Sequence, residues 1–351
     1  MVESKKFSIF VYENWRSGMI RLRVGYLITG IITGLLLILS FFATIPDGKL
    51  HVVFCDVGQG DGIYVRFPDG KDMVVDGGPG NKIINCLSRH MPFWDRTIDI
   101  AVLTHPEKDH INGLVSVLER YQINYLIRSD IANNTEGYAS FQRLIKEKHI
   151  DEKRVVTGSR IDIGTTTLSV LWPTVSQIAR MKPASRLSLE SGQSVLGASV
   201  VPANLNDGSV VLYLSYGMFD VLLPGDADSH VDRELSIQIP NDPDGIEIFK
   251  VPHHGSKTGM TDGFLKIVTR RGLAASQDHV LRSPLAVISV GQNSYGHPAP
   301  EVIQKLESAG FQLSAPQRDE CVEDRRCFRR TLTVTLPRGA YATLVLQALE
   351  R

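Results

Sequence analysis

Four apolar runs of strand length in this chain stop abruptly at imidazole or carboxylate groups. That pattern points to a sheet scaffold that presents functional side chains from its strand tips. "AVLT" delivers His105, Glu107, Asp109 and His110, and "DVLLPGD" ends at Asp226. "IEIFKVPHHG" ends at His253 and His254, and "LAVISVGQNSYGHP" at Asn293, Tyr295 and His297. Without thiolates, imidazole and carboxylate are the ligand set for zinc or manganese. The competing account is a solvated turn whose histidines cap the next helix. It suits a lone histidine better than four ligand-type side chains between residues 105 and 110. Taken singly, Asp226 reads as a turn or N-cap residue and His297 as a packed surface histidine. Their shared placement at strand ends joins them to the first cluster. Asp226 also suits a bridge between two cations, one on each carboxylate oxygen.

Short strands are expected at 50–55, 62–67 and 72–76, broken by "GQGDG" and "PDG", with another at 97–104. "INGLVSVLERY" and residues 138–149 predict helices, and further strands fall near 161–171, 209–215, 218–223 and 285–290. "PAPEVIQKLESAG" opens a last helix with proline at its start, and "RRTLTVTLPRGAYATLVLQ" predicts a closing hairpin. With no internal repeat and no linker beyond residue 50, one α+β domain over 50–351 is expected. Lys plus Arg equals Asp plus Glu, 38 each, so no global positive field draws the chain onto nucleic acid. Any anion binding has to be local.

The stretch 24–46 is apolar and uncharged, long enough as a helix to cross a hydrocarbon core of about 30 Å. Lys5, Lys6, Arg16, Arg21 and Arg23 precede it and only Lys49 follows closely, which places residues 1–23 in the cytoplasm. The expectation is a single-pass transmembrane helix at the cytoplasmic membrane, with 50–351 on the extracytoplasmic, periplasmic side. Cys321 and Cys327 are close enough in sequence to bridge across a turn there, while Cys55 and Cys86 fall in apolar surroundings.

"THPEKDH" resembles the metal-binding motif of the metallo-β-lactamase superfamily, with Glu107 at the position usually held by a second histidine. Together with "DVGQGDGIYV", "VVDGG", "LLPGD", "VPHHGS" and "SVGQNSYGHP", it resembles the hydrolase domain of ComEC-type competence proteins over residues 50 to about 312. The resemblance implies an αββα sandwich and makes His105, Glu107, Asp109, His110, Asp226 and His254 the metal ligands, with Asp226 bridging. Asp109, His253 and His297 become the catalytic candidates. Asn206 and Asp207 stand where a ligand histidine is usual, so a second ion would be held weakly or only with substrate. One or two divalent ions are implied, zinc or manganese, with magnesium also admitted. Asp56, Gln59 and Asp61 either support the site from behind or merely form the turn.

The implied function is a membrane-anchored, metal-dependent hydrolase, foremost a phosphodiesterase or nuclease. A phosphodiester or nucleic acid is its expected substrate and metal-activated water its nucleophile. Hydrolysis of carboxylic esters, lactones or envelope phosphoesters, or a noncatalytic binding module, are the alternatives. Arg325, Arg326, Arg329 and Arg330 offer a guide for a polyanion, although such a run is usually a solvated face. The channel helices of ComEC are not matched, so the chain reads as a hydrolase module with its own anchor.

Overall fold

The computed structural model describes residues 24–40, 45–181, 204–217, 219–240, 246–273, 284–314 and 332–336. It divides into two units, Met1–Ile45 and Pro46–Arg351. In the first, residues 24–40 form helix α1, whose apolar side chains, among them Leu27, Ile31 and Leu36, are exposed. Among the described residues no helix is long and apolar enough to cross a membrane, and the expected transmembrane helix over 24–46 is described as a helix only over 24–40. Residues 41–44 lie outside the described residues.

The second unit begins with β1 (Leu50–Phe54), β2 (Ile63–Arg66), β3 (Asp72–Val75), α2 (Lys82–His90), β4 (Thr97–Leu103) and α3 (Lys108–Arg120). It continues through β5 (Gln122–Arg128), α4 (Glu136–Glu147), β6 (Asp151–Arg154), β7 (Arg160–Ile163), β8 (Thr166–Trp172) and α5 (Val175–Met181). Then follow β9 (Val211–Tyr216), β10 (Phe219–Leu223), α6 (Asp232–Gln238), β11 (Ile248–Lys250), α7 (Asp262–Leu273), β12 (Leu285–Val287), α8 (Pro300–Ser308), β13 (Gln312–Ser314) and β14 (Leu332–Leu336). Two seven-stranded sheets result, ordered β14-β1-β2-β3-β4-β5-β6 and β13-β12-β11-β10-β9-β8-β7.

Strand periodicity builds the layers. Val52 and Phe54 point into the core between the sheets, where they meet Leu168, Leu212, Val221 and Ile248. Val53 and Cys55 point the other way, onto Ile83 and Leu87 of α2 and Ile111, Leu114 and Leu118 of α3. On the far sheet, Phe249 and Ala286 pack against Phe264 of α7 and Val302 of α8. With both faces of each sheet covered, the expected αββα sandwich is present. The expected strand at 161–171 is instead the hairpin of β7 and β8. Of the expected closing hairpin, β14 is described and pairs antiparallel with β1, and its remainder lies outside the described residues.

The topology also decides where chemistry can sit. Strands β3 to β6 run parallel, as do β10 to β13, so the loops after β3, β4, β10, β11 and β12 leave from the carboxyl ends of their strands.

A disulfide joins Cys55, just after β1, to Cys86 of α2, with Cα atoms 5.8 Å apart. The expected Cys321–Cys327 pairing lies outside the described residues. The Cys55–Cys86 bridge closes a 31-residue separation, and loops of this size contribute about 3.7 kcal/mol by restricting the unfolded chain. Cys55→Ala with Cys86→Ala is therefore expected to lower unfolding free energy by about 2–4 kcal/mol. A denaturant titration with and without reductant checks it: reductant should reproduce the effect in the parent chain and do nothing to the variant.

Candidate metal centre

The loop after β4 owes its shape to Asp76, at the tip of β3. Asp76 is fully buried with φ 55°, an unusual conformation for a residue with a side chain. Its Oδ1 accepts the Thr104 backbone N–H at 2.9 Å. Its Oδ2 accepts the Thr104 hydroxyl at 2.6 Å and the His110 Nδ1–H at 2.8 Å. One carboxylate thus fixes both ends of the His105-to-His110 segment and leaves His110 Nε2 facing outward from Asp76. Glu107 precedes α3 in extended conformation and Asp109 sits in its first turn, where the helix dipole favours a carboxylate. A second close approach presses on this loop: a Cβ at Gly60, where φ is 138°, would stand 2.1 Å from the Asp109 carbonyl oxygen.

The opposite sheet supplies the remaining groups. Asp226 follows β10 and its Oδ2 lies 3.3 Å from His110 Nε2. His253 and His254 both take positive φ, 49° and 54°, in the turn after β11. That strained turn lets adjacent imidazoles serve different neighbours. His254 donates Nδ1–H to the Ser289 carbonyl at 2.7 Å, leaving Nε2 3.0 Å from Asp226 Oδ2 and 3.4 Å from Asp109 Oδ2. His253 turns its Nδ1 to Asp228 at 2.9 Å, and its ring centroid stands 5.7 Å from that of His297. Asn293 holds the His297 loop, accepting the His297 N–H and donating to its carbonyl.

Single donor atoms of Asp109, His110, Asp226 and His254 all lie within 4.8 Å of one another, a span that one ion about 2 Å from each donor can close. The Nε2 atoms of His110 and His254 are buried and close to Asp226, yet neither is aligned for a hydrogen bond among the described residues. Buried polar atoms rarely go unpartnered, and here both aim at one point. These residues therefore fit a divalent cation. The electrostatics agree. Burial alone would push the Asp226 carboxyl up, but His254, Lys250 and His110 hold it well below the usual carboxylate range. Burial would pull His254 down, yet Asp226 and Asp109 lift it to about 9, and Asp226 with Asp76 likewise raises His110. The cluster calls for positive charge, and a cation would take the place of those protons.

Not every expected ligand converges. His105 is buried, with Nδ1 3.1 Å from Thr104 Oγ1 and 3.3 Å from Ser209 Oγ, and its Nε2 has no partner among the described residues. Burial and the neighbouring His110 keep its imidazole neutral, with its pKa well below the ordinary value. Neither His105 nor Glu107 joins a group of three or more donors among the described residues. Asn206 is buried with its amide nitrogen 3.4 Å from His253 Nε2, whereas Asp207 faces His230 at 3.3 Å. Gln59 accepts the Gly291 N–H at 3.0 Å, so the "GQGD" turn does support the site.

Four participants escape a reading of the sequence: Asp76, Ser209, Asp228 and Lys250. Lys250 ends β11 and is fully buried, 2.5 Å from Asp61 and 3.1 Å from Asp226. Burial alone would pull its ammonium down, but Asp61 and Asp226 raise it and keep it charged. The only available signal was a lysine at the end of the apolar run "IEIFK", which resembles an ordinary strand terminus.

The sequence profile of the metallo-beta-lactamase superfamily matches residues 55–274, and the chain belongs to that superfamily. Its similarity to ComE operon protein 3 of Bacillus subtilis (strain 168) is 22% identity over 323 residues, 85% of this chain and 36% of that protein. The expected likeness to competence-type hydrolase domains is thereby present, and the chain spans about a third of that relative's length. Among solved structures, Tm1679, a metal-dependent hydrolase of the beta-lactamase superfamily, shares 12% identity, with 81% of this chain and 98% of that one covered and a TM-score of 0.47. Igni18, a metallo hydrolase from Ignicoccus hospitalis, shares 13% over 83% of this chain and 100% of its own, with a TM-score of 0.45.

Proposed function

We infer that this chain is a metal-dependent hydrolase acting on phosphodiesters, with nucleic acid as the favoured substrate class. The observation that carries the reading is the convergence of Asp109, His110, Asp226 and His254 around two buried, unpartnered imidazole nitrogens. Asp109, His110, Asp226 and His254 would hold the ion, which would supply Lewis acidity and ready water for attack near neutral pH. The protein's own groups do the rest. Asp76 and the Ser289 carbonyl fix which nitrogen of His110 and His254 faces the centre. His253, oriented by Asp228, is placed to contact a nonbridging phosphate oxygen or to pass a proton to the leaving oxygen.

Support for a phosphodiester over an acyl substrate comes from the rim. His253 and His297, whose Nδ1 has no partner among the described residues, are hydrogen-bonding groups there, and Tyr295, 74% exposed with its ring 5.9 Å from that of His297, offers a face on which a base can stack. The test is a panel of single-stranded DNA, bis(p-nitrophenyl) phosphate, and carboxylic ester and lactone substrates, each with added zinc, manganese or magnesium. Metal-dependent turnover of the first two supports the assignment, whereas ester or lactone turnover alone assigns the fold to acyl chemistry. Binding without turnover makes the chain a noncatalytic module.

His253→Ala is expected to lower phosphodiester turnover by about 10²–10³ while leaving metal content unchanged, because His253 touches substrate and not the ion. Kinetics beside elemental analysis of the same samples checks this. Asp228→Asn should cost about 10-fold, the usual effect of loosening the group that orients an active histidine.

Membrane association at the extracytoplasmic face completes the reading. It is supported by the exposed apolar side chains of α1, the basic residues before it, and a disulfide between Cys55 and Cys86 that favours an oxidising compartment. The chain should sediment with membranes and resist carbonate extraction, and protease added outside spheroplasts should cleave residues 50–351. Recovery of the intact chain in the soluble fraction would contradict this.

A further inference from the structure

Lys250 is the only lysine or arginine with a fully buried side chain in the ion pairs of the described residues, and each of its three ammonium hydrogens has an acceptor. The Gly225 carbonyl lies at 2.8 Å, Asp61 Oδ2 at 2.5 Å and Asp226 Oδ1 at 3.1 Å. Asp226 is therefore divided between two positive charges. Its Oδ2 faces His110 Nε2 and His254 Nε2, and its Oδ1 is taken by Lys250. We propose that Lys250 stands in for a second cation: it holds Asp226 by the oxygen that would otherwise bridge, so the centre takes one divalent ion, on Asp109, His110, Asp226 and His254.

Three further observations point the same way. His105 and Glu107, the remaining expected ligands, join no group of three converging donors among the described residues. Asn206 is drawn toward His253, and Ser209 is spent between His105 Nδ1 and the Asp226 backbone N–H at 3.2 Å, so the mid-domain loop brings no imidazole to a second position. The other compact group of donors, Asp61, Asp76 and His110, already has its charges answered, Asp61 by Lys250 and Asp76 by His110 Nδ1. Lys250 is a positioning residue here. It fixes the orientation of Asp226.

The inference rests on the metallohydrolase reading, and its test separates the two. The full chain, stripped of metal and dialysed against manganese, is measured by elemental analysis and by electron paramagnetic resonance. One ion per chain, with the spectrum of an isolated manganese ion, is expected. Two ions per chain with a spin-coupled spectrum would overturn the one-ion centre and leave the hydrolase reading standing. No bound ion would overturn both. In Lys250→Met, which keeps the side-chain length and removes the charge, Asp61 and Asp226 Oδ1 are released and uptake should rise toward two ions per chain. A folded variant that still binds one ion would show that Lys250 is not what excludes the second. If the variant does not fold, the stoichiometry and spectrum of the parent chain decide the matter.

Discussion

Asp226→Asn is expected to lower phosphodiester turnover by about 10³-fold or more, the largest effect of any single side chain in this protein. The reason lies in how many charges meet at one carboxylate. Asp226 faces His110 Nε2 at 3.3 Å, His254 Nε2 at 3.0 Å and Lys250 Nζ at 3.1 Å. The amide keeps the volume but removes the negative charge that would hold a divalent ion, and an ion of this kind supplies several kcal/mol of transition-state stabilisation. At 1.36 kcal/mol per factor of ten, a loss of about 4 kcal/mol corresponds to about 10³ in rate. Metal content should fall in parallel while circular dichroism stays unchanged. Turnover within tenfold of the parent chain would remove Asp226 from the centre.

Gly113→Ala is expected to destabilise the fold by about 3 kcal/mol or more, or to prevent folding. Gly113 of α3 and Gly77, after β3, touch backbone to backbone, and a Cβ at Gly113 would stand 1.7 Å from the Gly77 carbonyl oxygen. Two hydrogen bonds of 2.8 Å clamp the contact, from Gly77 N–H to the His110 carbonyl and from Gly113 N–H to the Gly78 carbonyl. No side-chain rotation relieves a clash between two backbones, so α3 has to move, carrying His110 away from Asp76. Gly80→Ala is the control: a Cβ there meets nothing within 4 Å, and its effect should stay within about 0.5 kcal/mol. Denaturant midpoints of the two variants compare them directly. Equal midpoints would mean that the close approach carries no energetic weight.

The contact also shows what could be read in the chain beforehand. Apolar runs ending in ligand-type residues pointed to sheets with candidate side chains at their tips, because strand periodicity and ligand chemistry are local properties, while the αββα layering and the choice of Asp109, His110, Asp226 and His254 as ligands came with the family resemblance. What escaped depends on partners distant in sequence. Asp76 looks like a turn residue until Thr104 and His110 are seen around it. Lys250 looks like a strand end until Asp61 is brought against it from far along the chain. Cys55 and Cys86 sit in apolar runs that do not advertise a bridge, whereas Cys321 and Cys327 are close in sequence and draw the eye. Glu107 reads as a ligand from its place in the motif, yet one turn of extended chain before α3 leaves it outside the converging group.

The most direct examination of the account is anomalous diffraction from crystals grown with manganese or zinc, collected at the absorption edge of the metal. A single strong peak within coordination distance of His110 Nε2, His254 Nε2, Asp226 Oδ2 and an oxygen of Asp109 is predicted. No peak among these four side chains, with the metal bound elsewhere or nowhere, would contradict it.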